Sequence, residues 1–196
     1  MVSALLCNGS RVLTPAEASA IRSVISKPSS RALFDLLLYS GLRFAEVQQL
    51  ADNPLLFDEE RGTLSIKSMK PSAKQAGRNV ILGTKGAAAV QAFVAAGAKV
   101  PAFVTTWQHN LIAWADAAGL SPLPTVKVKS NPFGITARTT RKTWESWLLA
   151  ACPDQIVRIT LSQGHSETVA LRHYLNVAFT AAEREAIAAE VVGWCR

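Results

Sequence analysis

Ser40-Gly41-Leu42-Arg43-Phe44-Ala45-Glu46 closes a strongly apolar run and opens a new helical pattern, and the reading of the whole chain turns on it. Ahead of it, Ser30 to Tyr39 carries Leu33, Phe34, Leu36, Leu37 and Leu38, the composition of a buried helix that breaks at Ser40-Gly41. Behind it, Phe44 to Leu50 restarts the helical pattern, which puts Arg43 at a helix start. Further upstream, Thr14-Pro15-Ala16-Glu17 is a capping box with Pro in the first helical position, and it predicts a helix from Pro15 to Ser26. Downstream, Leu55 to Phe57, Thr63 to Lys67 and Asn79 to Leu82 are short and β-like, separated by the turn Asp58 to Gly62 and the Lys-rich loop Ser68 to Arg78. Ala-rich helices follow over Lys85 to Ala96 and Trp107 to Ala118, then a Pro-containing loop, Ser121 to Gly134. Arg138 to Ala151 reads as a helix with Trp144, Trp147 and Leu148 on its apolar face, Gln155 to Leu161 and Thr168 to Leu175 as shorter ones. A second capping box, Thr180-Ala181-Ala182-Glu183, starts a last helix with Ile187, Val191 and Trp194 on one side. The fold class expected is α+β and mostly α, with one small three-stranded antiparallel sheet.

The 196 residues, 49% of them hydrophobic, suffice for one packed core and are too few to argue for two full domains. Twenty-one Lys and Arg against fourteen Asp and Glu leave a formal charge of +7, which favours a polyanionic partner. Net charge alone fits a merely basic soluble domain equally well, so motifs must decide. Three cysteines, Cys7, Cys152 and Cys195, without CxxC or ligand-spaced His, indicate neither a disulfide framework nor a zinc site, and point to a reducing compartment. The apolar start lacks a basic leader and no run of eighteen apolar residues occurs, so a cytoplasmic protein without membrane association is expected.

Two more segments belong with Gly41 to Glu46: Arg138-Thr139-Thr140-Arg141, and Gly164-His165-Ser166 followed by Tyr174 nine residues after the His. Together, in order and spacing, they resemble the signature boxes of the tyrosine recombinases, a family of integrases: Gly-Leu-Arg-x-x-Glu, His-x-x-Arg, and Gly-His with a nucleophilic Tyr beyond it. The resemblance spans Thr14 to Trp194. It implies one catalytic domain over residues 1–196 (core 14–194) without a separate N-terminal core-binding domain, and a site-specific recombinase that cuts and rejoins DNA through a covalent 3'-phosphotyrosyl link. That link stores the bond energy, so no cofactor, nucleotide or metal is expected, and the sequence offers no phosphate-cradling Gly-rich loop and no carboxylate cluster. The partners implied are double-stranded DNA and further copies of the chain, a tetramer on two DNA sites.

The residue types suit this chemistry on physical grounds. Attack on a phosphodiester builds negative charge on two nonbridging oxygens, and planar guanidinium forks match that charge with paired donors. Arg43 and Arg141 are the candidates, with His165 as a further donor. A phenol ionises near pH ~10 and needs positive charge close by to attack at neutral pH, which Arg138, Arg141, Arg172 and His173 would supply to Tyr174; the other tyrosine, Tyr39, sits in the apolar helix. The leaving 5'-oxygen needs a proton, which a hairpin lysine delivers in the family; Lys70 ranks first here and Lys74 second. Glu46, one turn from Arg43, is read as the acid that orients the arginine or a neighbouring box through a hydrogen bond, and Lys67, Lys142 and Arg172 as DNA contacts.

Two features depart from the family. Arg138 stands where many members carry the His of the second box, and an arginine cannot accept a proton near neutral pH, so its expected role is electrostatic. The wording of Arg141 to Trp147 and the helix start at Phe179-Thr180 resemble archaeal plasmid and virus integrases, some of which carry a basic residue there. The second departure is that these residues hold no N-terminal helical clamp domain, so the chain is read either as a fragment or as an unusually small protein. Two rival readings remain: a type IB topoisomerase, which cleaves similarly without exchanging strands, and a noncatalytic basic DNA-binding module. The last helix leaves a choice too, since its apolar stripe would serve either a partner subunit or its own core.

Overall fold

The computed structural model describes residues 4–68, 77–123, 129–165 and 177–195, and these form the mostly helical α+β fold expected, with a small three-stranded antiparallel sheet. Helices α1 (Pro15–Val24), α2 (Pro28–Ser40) and α3 (Phe44–Asp52) open it. Strands β3 (Phe57–Asp58), β4 (Thr63–Ile66) and β5 (Arg78–Ile81) follow, then α4 (Thr84–Ala95), α5 (Val104–Ala117), α6 (Thr139–Ala151), α7 (Ile156–Gln163) and α8 (Ala181–Glu190). Both capping boxes are made: Thr14 and Thr180 accept from the N–H of Glu17 and Glu183, whose carboxylates accept from the Thr N–H in return. The sheet lies in the order β3-β4-β5, with Leu64 opposite Val80 and Ile66 opposite Arg78.

A feature not read from the sequence is an N-terminal hairpin, β1 (Leu5–Cys7) and β2 (Ser10–Val12). Its turn is Asn8-Gly9, both at positive φ (46° and 69°), the backbone that two-residue hairpin turns demand and Asn-Gly supplies. The hairpin is held onto α6, where the Thr143 hydroxyl accepts from the Leu13 N–H at 2.9 Å and the Trp147 indole donates to the Leu13 carbonyl at 2.9 Å.

The core centres on α2 and α6. Leu33, Phe34, Leu36, Leu37 and Leu38 of α2 and Trp144, Trp147 and Leu148 of α6 are fully buried, as their apolar spacing predicts. Ile187, Val191 and Trp194 join the same core, which settles the choice over the last helix: the stripe packs on its own chain. Deleting residues 180–196 should therefore abolish the cooperative thermal melt. Losing one large buried side chain typically costs ~2–5 kcal/mol, and three approach the whole stability of a domain, roughly 5–15 kcal/mol. A truncated chain that melts as sharply as the intact one refutes this packing.

The cysteine expectation needs correction. Cys152, at the end of α6, and Cys195, after the buried Trp194, are joined in a disulfide with Cα atoms 5.8 Å apart, while Cys7 is buried outside the bridge. Sequence spacing carries no sign of this pair, because two cysteines 43 positions apart are brought together only by packing of the C-terminal segment. Among the described residues no helix is long and apolar enough to cross a membrane.

Candidate functional site

The turn between α2 and α3 is built for close approach. Gly41 takes the left-handed backbone (φ 63°), and a Cβ there would stand 2.5 Å from Gln163 Oε1 and 2.8 Å from Trp144 Cδ1. The Ser40 hydroxyl closes the helix end by donating to the Leu36 carbonyl (2.6 Å) and accepting from the Leu42 N–H (3.2 Å). At the end of α7, Gly164 is likewise left-handed (φ 71°), and Arg78 would meet a Cβ at 2.7 Å. Small residues at both turns let α3, α6, α7 and the sheet edge converge.

Arg141 ties the motifs together. Its guanidinium is buried and donates from Nη1 to the Gly41 carbonyl at 2.5 Å and from Nη2 to the Gln163 carbonyl. Burial, and then the neighbouring Arg43 charge, lower its pKa to about 10 against the opposing pull of Glu145, so it stays charged at neutral pH. Arg43 caps α3; it donates from Nη1 to Glu46 at 2.6 Å and from Nη2 to the Gly164 carbonyl at 3.5 Å. About half of its side chain, 48%, remains exposed, in contrast to Arg141. One guanidinium is thus tied into the backbone of two turns, while the other is half-exposed.

Glu46 is buried between two arginines. It accepts from the Arg43 N–H at 2.7 Å, and Arg78, a residue the sequence reading left in a loop, pairs with both its oxygens, one at 2.8 Å. Burial alone would raise its pKa, but the hydrogen bonds and charges of Arg78 and Arg43 outweigh burial and hold it at about 2. A carboxyl depressed on folding stabilises the native state above its unfolded value near 4.5, and that contribution disappears as pH falls towards about 2. The difference is worth ~3 kcal/mol at ~1.36 kcal/mol per pH unit. Glu46→Gln should lose about that much stability at pH 7 and little at pH 2, read from urea melts across the range. Parallel stability curves for the two proteins would reject the linkage.

The sheet is docked on the same cluster. Arg78 Nε donates to the Ser162 carbonyl at 2.9 Å, and the Ser162 hydroxyl accepts from the Ile81 N–H at 2.9 Å. At the other strand, the Gln49 side chain of α3 accepts from the Lys67 N–H (3.0 Å) and donates to the Lys67 carbonyl (3.2 Å). The Lys67 backbone is therefore anchored to α3 and the β5 side to α7, while the Lys67 side chain is exposed. Lys70 and Lys74 lie outside the described residues, as do Arg172, His173 and Tyr174.

His165 follows the Gly164 turn and donates its N–H to the Thr160 carbonyl at 3.1 Å. Its ring Nε2 is in ion-pair contact with Glu145 of α6, an acid that the sequence reading passed over although it stands four residues from Arg141. Beside His165 and Arg78 opens a groove of about 960 Å³, walled by Ile81, Val157, Thr160 and Leu161. Arg138 is the exposed N-cap residue of α6. Lys142 is turned to the N-terminal hairpin, donating to the carbonyls of Cys7 (2.7 Å) and Asn8 (3.4 Å). A second cavity, about 440 Å³, lies between Arg22, Asp35, Tyr39, Lys85 and Glu190. Its charges are already matched, Arg22 to Asp35 at 2.8 Å and Lys85 to Glu190 at 2.6 Å, which leaves it little to offer an anion.

No protein-family model matches the chain, and no curated protein does. Among solved structures, the mostly helical fold with this sheet is similar to a crystal structure of XerA recombinase. The superposition has a TM-score of 0.62 at 17% sequence identity and covers 91% of this chain. It takes in 64% of the XerA recombinase chain, so this chain spans less than two thirds of that length, and the likeness is one of fold.

Proposed function

We propose that this chain is the catalytic unit of a tyrosine recombinase, which cuts a DNA strand by attack of Tyr174 on a phosphodiester and rejoins it elsewhere. The observation that carries this reading is the mutual bonding of the three sequence motifs: Arg141 of the second grips the carbonyls of Gly41 in the first and Gln163 at the third, while Arg43 reaches Gly164. In this reading the array offers two guanidinium groups and an imidazole to one phosphate, the donors that a pentavalent phosphate requires. The likeness to XerA recombinase supports the fold on which this chemistry would sit. In this reading Arg43, Arg141 and His165 hold the phosphate, Glu46 sets Arg43, Arg138 supplies positive charge, and Lys70, or Lys74, protonates the leaving 5'-oxygen. Lys67, Lys142 and Arg172 contact the DNA backbone, and strand exchange takes a tetramer on two sites.

The test is a nicked duplex that traps the cleaved state, followed by a denaturing gel: a covalent protein–DNA adduct is expected without metal or nucleotide. Binding without adduct would leave the noncatalytic DNA-binding module. An adduct together with relaxation of supercoils but no joining of two labelled duplexes would select the topoisomerase reading.

A further inference from the structure

Glu145 is the single acid of α6 and its side chain is wholly buried. A carboxylate removed from water costs several kcal/mol unless charge compensates it, and an apolar residue of similar size would fill the space without that cost. The compensation is the His165 ring, whose Nε2 it touches, with the Arg141 charge one helical turn away on the same helix. Neither carboxylate oxygen accepts an aligned hydrogen bond among the described residues, and the ion-pair contact to the acid there comes from the imidazole Nε2. The ring's backbone is pinned independently by the Thr160 carbonyl.

The neighbourhood shows what such a pair accomplishes. Arg43, Arg78 and Arg141 surround the turn at Gly164, and guanidinium groups do not exchange protons near neutral pH. Arg138, at the start of α6, has the same limitation. Among the described residues of the cluster, His165 supplies the imidazole, a ring whose neutral form has one donor and one acceptor nitrogen. An imidazole held by a carboxylate at one nitrogen is confined to one tautomer and one orientation, and the carboxylate offsets the charge the ring gains with a second proton.

We infer that Glu145 is a positioning residue: it acts through His165, setting the tautomer and orientation of the ring and balancing its charge during strand cleavage. The inference rests on the recombinase reading for the reaction, and on the contact with His165 for the rest. Two measurements test it. In the free protein, nitrogen-15 NMR of the imidazoles, with His165 assigned by its loss in His165→Gln, should show one tautomer protonated on the nitrogen facing Glu145. That preference should collapse in Glu145→Gln. On the nicked duplex, Glu145→Gln should slow adduct formation by about tenfold to a hundredfold, the range for partners that orient a first group. Made in a His165→Gln background, the same change should cost less than about twofold, since its effect passes through the ring.

Should Glu145→Gln melt below the assay temperature, Glu145→Asp, which keeps the charge and shortens its reach, carries the same comparisons. A His165 tautomer indifferent to position 145, or an undiminished cost of Glu145→Gln when His165 is already gone, overturns the inference. No adduct from the wild-type protein overturns the reading of the site, and the NMR measurement, which needs no DNA, separates that result from a failure of the pair itself.

Discussion

Tyr174→Phe is expected to form no covalent adduct on the nicked duplex while binding it within about tenfold of the wild type. The substitution removes only the attacking oxygen, so the transition state loses its nucleophile and ground-state binding loses almost nothing. The alternative phenol is disqualified by its surroundings. Tyr39 donates to Glu190 at 2.8 Å, and burial, then the Glu190 carboxylate, push its pKa well above the ordinary tyrosine value, away from the phenolate that attack requires. An adduct from the Phe variant, or a peptide map that puts the DNA on Tyr39, would remove Tyr174 from the mechanism.

Arg141→Ala should be the next most severe change, and for two separable reasons. As an anion donor its loss should slow adduct formation by roughly a hundredfold or more, the scale for removing one oxyanion donor. As a tie it leaves the carbonyls of Gly41 and Gln163 without their partner, at ~1–3 kcal/mol for each buried group. Arg43→Ala provides the contrast: this half-exposed arginine should cost cleavage on the same scale with a smaller loss of melting temperature, since Arg78 still neutralises Glu46. Lysine at 141 restores the charge but cannot span two carbonyls with a planar fork, so it should recover little of either property. Cleavage by Arg141→Ala near the wild-type rate would mean that the cluster holds the fold together and no phosphate.

Local signals were legible in the sequence because their causes are local. Thr14 with Glu17, and Thr180 with Glu183, satisfy helix-end N–H groups within four residues, so each box announces its helix wherever the rest of the chain goes. The apolar spacing of α2 and α6 marked their buried faces in the same way, and Trp144 and Trp147 lie where it put them. The Asn8-Gly9 turn is an equally local signal for the first hairpin.

The order of residues specifies a list of parts: the elements, their faces, and three short motifs rich in arginine and histidine. Which part meets which depends on packing. Arg78 and Glu46 lie 32 residues apart, and no periodicity connects a strand residue to a helix N-terminus. Glu145 reads as one more charge on a helix until α7 sets His165 against it. Cys152 and Cys195 meet, and the apolar stripe at the end of the chain turns inward, because the last helix packs on α6 and Trp194 is buried against Ile81. Helix caps and hydrophobic faces follow from neighbours along the chain, whereas charge pairing at a site depends on distances that exist only after the core has packed.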